Sequence, residues 1–160
     1  MAAFVLVLAV LLSSGLFAVT EVCAAQSDMN EESGYCYVLD DNAGFIEDNK
    51  EILNLMKEIT QYCNVAVVTT TSHSYRSTES YAVAMFESYF GDGADGVVFV
   101  IDRDLNEIYL ASEGSTRRIL SNAKCRTICD NTYIYATEGH NYDYDTCCKE
   151  TLTQVNTLLS

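Results

Sequence analysis

Two apolar runs constrain this chain more than any other feature: "NVAVVTTT" over residues 64–71 and "GVVFVI" over 96–101. A strand with one face in water alternates apolar and polar residues, and neither run does. Both therefore predict strands buried on both faces, which requires helices above and below the sheet. The segment between them is too long for a hairpin. Ser77 can cap a helix there, and Tyr81, Ala84, Met85, Ser88 and Tyr89 line one side of it. A strand–helix–strand unit of this kind predicts a right-handed crossover between parallel strands.

The remaining elements fit the same scheme. "YCYVLD" at 35–40 predicts a strand, and residues 47–62 an amphipathic helix with Ile52, Leu55, Met56 and Ile59 at spacings of three and four. "DRDLN" predicts a tight turn into a fourth strand, "EIYLAS" at 107–112, which pairs as a hairpin with 97–101. The rest predicts helix: a short piece at 115–120, then 122–136 and 143–159, the last striped by Cys148, Leu152, Val155 and Leu159. The expected fold is a three-layer α/β/α sandwich around a mostly parallel four-stranded sheet with one antiparallel hairpin.

The first 25 residues stand apart. Residues 2–19 carry no charge, and small residues follow at "VCAAQ", so residues 1–25 predict a signal peptide or an N-terminal membrane anchor. Either reading predicts an exported domain, secreted or held at the outer face of the membrane by that segment alone. Residues 26–34, "QSDMNEESG", predict a polar linker, and 35–160 the folded domain. The net charge of −14 becomes −13 when cleavage removes Glu21, leaving six of the seven cysteines. So acidic a surface repels nucleic acid and anionic lipid and favours cations. The cysteines offer neither C-x-x-C pairs nor a zinc spacing with His73 and His140, so small buried thiols are expected.

"FGDGADGVVFVI" contains the spacing G-x-G-x-x-G at Gly91, Gly93 and Gly96. A dinucleotide loop needs a strand before the glycines and a helix after them; here a helix precedes and a strand follows. Asp92 and Asp95 would also repel a pyrophosphate. The stretch is then an acidic cation loop or only the turn into a strand. Calcium takes six to eight oxygens from carboxylates, carbonyls and water, which either acidic edge of such a sheet can offer. With the first three strands parallel, Asp40, Asp41, His73, Asp102 and Asp104 fall at the carboxyl edge. Asp92 and Asp95 fall at the opposite edge with Glu113, Arg117 and Arg118. One site uniting Asp41 with Asp95 requires the first strand to run the other way.

These residues also carry a family likeness. "YVLDDNAGF" resembles the opening V-x-D-x-A-G signature of the TPM domain, "STESYAVAMFESYF" its second helix, and "DGVVFVIDRDLNEIYLASEGS" its strand pair and glycine turn. The resemblance runs from about Tyr35 to Leu158 and implies an extracytoplasmic α/β sandwich, often membrane-tethered. For some members it implies calcium binding or acid phosphatase activity. Residue by residue, it points to Asp41 and Asp95 as metal ligands and to Arg103 and Arg118 as the family arginines, Arg118 as the phosphate-binding one. Asn122 and Asn141 stand where the family commonly has Asp, which weakens both metal affinity and hydrolysis.

Three functions follow from this reading. The first is an extracytoplasmic binding or accessory domain with a protein partner at the cell envelope and weak calcium binding through Asp41, Asp92 and Asp95. The second is a metal-dependent phosphatase, and the third a structural envelope domain without ligand. No Ser or Cys stands beside a plausible His, so covalent hydrolysis lacks a nucleophile.

Overall fold

The computed structural model describes residues 25–160, and the predicted leader or anchor lies outside the described residues. The strands are β1 (Gln26–Met29), β2 (Cys36–Asp41), β3 (Asn64–Thr70), β4 (Gly96–Asp102) and β5 (Glu107–Glu113), and the helices are α1 (Asn49–Ile59), α2 (Thr78–Phe90), α3 (Asn122–Thr132) and α4 (Tyr144–Leu159). Short 3₁₀ turns cover Gly114–Arg118, Tyr133–Ala136 and Glu138–His140.

The strands form one sheet in the order β1-β2-β3-β4-β5. The β2–β3 and β3–β4 pairs are parallel, whereas β1–β2 and β4–β5 are antiparallel. The α/β sandwich and its hairpin hold, but the expected four-stranded, mostly parallel sheet is corrected to a five-stranded mixed one. The added strand comes from the segment expected as a linker. All four β1 residues are exposed. An edge strand that buries no side chain has no hydrophobic alternation to betray it; backbone pairing of Gln26 to Leu39 through Met29 to Cys36 makes it.

β4 is buried throughout and β3 from Val65 onward, as their unbroken apolar runs require. Tyr37, Leu39, Val65, Val67, Val97, Phe99, Ile101 and Leu110 face one core layer with α1, α3 and α4. Val38, Ala66, Val68, Val98, Val100 and Ala111 face the other with Ala82 and Phe86 of α2. Fully burying each large aliphatic or aromatic side chain contributes about 1.5–3 kcal/mol. Both crossovers step the same way across the sheet, yet α1 lies on one face and α2 on the other. Two such crossovers have opposite hands, so the right-handed rule expected from the strand–helix alternation fails for one of them.

Local chemistry sets the helix ends. Asp48, Ser77, Ser121 and Asp143 cap the four helices by accepting from backbone N–H groups of their first turns, and Ser77 with Ser80 completes a capping box. Gly91 ends α2 at φ 90°, a backbone conformation that favours glycine. Gly96 is required for a different reason: a Cβ there would lie 2.5 Å from the Asn64 carbonyl and 2.8 Å from the Phe86 ring.

Candidate functional site

Parallel β2, β3 and β4 end together, and their carboxyl edge gathers side chains of two kinds. Asp41 shares register with Thr69 on one face, and Asp102 with Thr70 and Glu107 on the other. Asp41 is buried and fully engaged. Its Oδ1 accepts from Phe45 N at 2.9 Å and Thr69 Oγ1 at 2.5 Å, and its Oδ2 accepts from Ile46 N at 3.0 Å. The carboxylate so folds the 42–46 loop back over the edge. Asp145 of α4 then clamps the loop by accepting from Glu47 N and Asp48 N, each at 3.0 Å.

That loop ends in a stack. The Phe45 ring lies 4.8 Å from Tyr144, stacked on it, and Tyr144 lies 6.1 Å from Tyr142. Arg103 completes it: its guanidinium carbon sits 4.3 Å over the Tyr142 ring, and Nη1 donates to the Tyr144 hydroxyl at 2.6 Å. Arg103, Tyr142 and Tyr144 help wall a cleft of about 330 Å³ between the β4–β5 turn and residues 133–144.

Behind it lies a buried polar network. Asp102 Oδ2 meets His73 Nε2 at 2.8 Å and accepts from Thr78 Oγ1 at 2.8 Å, while Oδ1 accepts from Asp104 N and Leu105 N. His73 Nδ1 accepts from Tyr75 N at 3.2 Å, and the imidazole stacks on Tyr81 with centroids 4.5 Å apart. Accepting at Nδ1 fixes the tautomer that donates from Nε2 to Asp102. Burial pushes the Asp102 carboxyl up, but hydrogen bonds from His73, Thr78 and Leu105 outweigh it and hold it below the ordinary value. On the α2 face Asp40 accepts from the Tyr89 hydroxyl at 2.5 Å, and burial together with this carboxylate raises the Tyr89 pKa.

The opposite edge holds the acidic glycine loop. Asp95 Oδ1 accepts from Ser115 N at 2.5 Å, and this bond, with the Ser115 hydroxyl, lowers the Asp95 pKa. Gly114 has φ 61° and lies so close to the Asp95 carboxylate and Ala94 carbonyl that a Cβ would clash with both. "GDGADG" is thus the helix end, the turn into β4, and the tie that holds the following 3₁₀ turn. Asp92 is exposed in it, as is Arg118, whose charge lies near Asp95.

The expected site residues therefore divide. Asp92, Asp95 and Arg118 share the amino edge, and Asp41 lies at the carboxyl edge, so β2 does not bring Asp41 to Asp95. A phosphate site joining Asp41 to Arg118 is ruled out by the same registers. Sequence reasoning missed Tyr142 and Tyr144. One signal pointed there: four of the chain's 11 tyrosines, Tyr133, Tyr135, Tyr142 and Tyr144, fall within one short stretch.

The thiols take no part in this edge. Burial pushes Cys63, Cys129 and Cys147 up to about 12 and Cys148 well above its ordinary value. All described cysteines are free.

Comparison with known proteins places this arrangement. A family model described as TPM domain matches residues 39–158. The fold is similar to the solution NMR structure of the N-terminal domain of a protein from P. gingivalis, at 17% identity and a TM-score of 0.66, covering 76% of this chain and 80% of that one. It is also similar to the NMR structure of the BA42 protein from the psychrophilic bacterium Bizionia argentinensis, at 10% identity and a TM-score of 0.54, covering 70% and 80%. At these identities the likeness concerns the fold alone. No curated protein matches the chain.

Proposed function

The chain belongs to the TPM domain family, and from that premise we propose that it is an exported binding or accessory domain that takes its ligand at the carboxyl edge of the sheet. One observation carries the choice of binding over hydrolysis. The buried ionisable groups at that edge are engaged in holding the fold. Asp41 and Asp102 use both carboxylate oxygens on protein donors, and His73 uses both ring nitrogens. A general base must reach a substrate proton, and these three side chains are buried with each oxygen or ring nitrogen facing a protein partner. Arg103 and its tyrosines, by contrast, open onto the cleft. Incubation with a chromogenic phosphate ester, with and without calcium, tests the reading. No release above buffer is expected. Release that disappears in Asp102→Asn would overturn it in favour of the phosphatase.

Export is part of this proposal and draws support from the uncharged run at 2–19. N-terminal sequencing of protein from its native host should begin near Gln26, or at Met1 in a membrane fraction. A start at Met1 in the cytosol overturns it.

Weak calcium association at the amino edge is a second reading, favoured by exposed Asp92 between Gly91 and Gly93, whose φ values are 90° and 72°. The residues fit such an ion poorly. Among the described residues no three His, Cys, Asp or Glu side chains converge on a cation, and Asp95 Oδ1 serves Ser115. Water and backbone carbonyls would supply most of the shell, so affinity no tighter than about 10⁻³ M is expected. Calorimetric titration of calcium into wild type and Asp92→Asn checks this. Absence of heat in the wild type, or equal heat in the variant, ends the reading.

A further inference from the structure

We propose that the Arg103 cleft binds a small zwitterion, an amino acid or short peptide, whose carboxylate is taken by Arg103 and whose ammonium group by Glu138. The proposal rests on the reading of this edge as a binding surface and names the class of ligand.

Backbone strain points first to the cleft. Asn106, Asn141 and Tyr142 are the described non-glycine residues with positive φ, at 55°, 53° and 54°. A left-handed tyrosine is a genuine outlier, and such residues persist where the surroundings over-determine them, as around ligands. All three lie at this one place: Asn106 and Tyr142 line the cleft, and Asn141 precedes Tyr142. The left-handed Asn141–Tyr142 pair, in which the tyrosine is the outlier, carries the ring that lies beneath Arg103.

Charge points the same way. The chain has 23 acidic residues against nine basic ones. Even so, no carboxylate lies within ion-pair distance of Arg103 among the described residues. Its guanidinium is held by a ring face and one hydroxyl, which fix its plane and leave donors of the fork for an incoming oxygen pair. Such a planar fork fits carboxylate or phosphate, and beside Glu107 and Glu138 the singly charged carboxylate is repelled less. A bare anion is disfavoured, because Glu107 and Glu138 line the same cleft and the whole molecule is acidic. A ligand that also carries a cation turns that repulsion into attraction. Glu107 Oε2 lies 2.7 Å from Thr78 Oγ1, the hydroxyl that donates its one proton to Asp102, whereas exposed Glu138 makes no side-chain hydrogen bond among the described residues and is assigned as the ammonium partner. The cleft volume of about 330 Å³ falls in the lower range of small-molecule sites.

Titration of the ¹⁵N-labelled full chain with L-alanyl-L-alanine, and separately with acetate, tests the proposal. The dipeptide should give saturable shifts at amides 103–107 and 133–144, with acetate at least about tenfold weaker. Arg103→Lys should weaken the dipeptide at least about tenfold, since lysine reproduces neither the fork nor the stack. Glu138→Gln, an exposed change that threatens no packing, should weaken the dipeptide severalfold and leave acetate no weaker. Absence of saturable wild-type shifts, acetate as tight as dipeptide, or an unaffected Glu138→Gln would each overturn the proposal. An Arg103→Lys chain that stays folded and binds normally would do the same. Should that variant lose its dispersed spectrum, Glu138→Gln alone decides. Ester hydrolysis would sink the parent reading of a binding edge, whereas missing dipeptide shifts without hydrolysis remove only this ligand class.

Discussion

Asp41 works at a distance. It does not line the cleft, yet it holds Phe45, whose ring stacks on Tyr144, whose hydroxyl anchors Arg103. It is a positioning residue. Asp41→Ala leaves two backbone N–H groups and a buried hydroxyl without their acceptor, so a loss of about 2–4 kcal/mol is expected in urea unfolding. Asp92→Asn, at an exposed loop position, should stay within about 0.5 kcal/mol of wild type. Asp102 gives the pH dependence. Its folded pKa lies below the unfolded value of about 3.9, so ionisation favours the fold. That stabilisation is present above about pH 4 and is lost as pH falls through the lower folded value. Asp95 and Asp143 shift the same way, each chiefly through a backbone N–H. Urea midpoints measured from pH 7 to pH 2 should therefore fall on the acid side, and Asp102→Asn should flatten that fall. An acid limb unchanged in the variant would show that Asp102 is not its source.

The elements differ in how far their own sequence dictated them. β3 and β4 could be read because burial on both faces leaves an unbroken apolar run, and α1 because Ile52, Met56 and Ile59 repeat on one side. β1 could not, because a strand exposed on every residue carries no pattern and depends on its neighbour's backbone. The segment expected as one helix over 122–136 instead ends at Thr132 and tightens into a 3₁₀ turn at Tyr133–Ala136. Where α2 meets the sheet, the contact is close enough to exclude a methyl group. Gly96→Ala would push a Cβ against the Asn64 carbonyl and the Phe86 ring, costing about 1–3 kcal/mol by overpacking. Thermal unfolding of this variant checks it. An unchanged midpoint would mean that α2 shifts freely on the sheet.

On the scale of the whole molecule, net charge sets the behaviour. At −14 the folded chain repels itself, and compaction brings the charges closer than the unfolded chain does. Sodium chloride raised from about 10 to about 150 mM shortens the Debye length from about 30 to about 8 Å. Relief of about 1 kcal/mol would raise the thermal midpoint by about 2–4 °C. A midpoint that falls with salt would show that local ion pairs outweigh the global repulsion. Among the described residues no helix is long and apolar enough to cross a membrane.

The sequence by itself determined the α/β class, the hairpin, the acidic surface, and the edge at which each candidate residue falls. Each follows from patterns local in the chain: apolar runs, cap residues, turn chemistry, and the direction of parallel strands. Tertiary structure alone decided the fifth strand and the opposite hands of the two crossovers. It alone decided that Phe45, Arg103, Tyr142 and Tyr144 form one stack, with Asp41 holding Phe45 in it. Their side chains converge only because α4 docks its first turn against the carboxyl edge, where Asp145 clamps the 42–48 loop. Contacts so distant in sequence leave no periodicity in the chain. They are set by which faces of sheet and helix must bury together, and a linear pattern does not encode that choice.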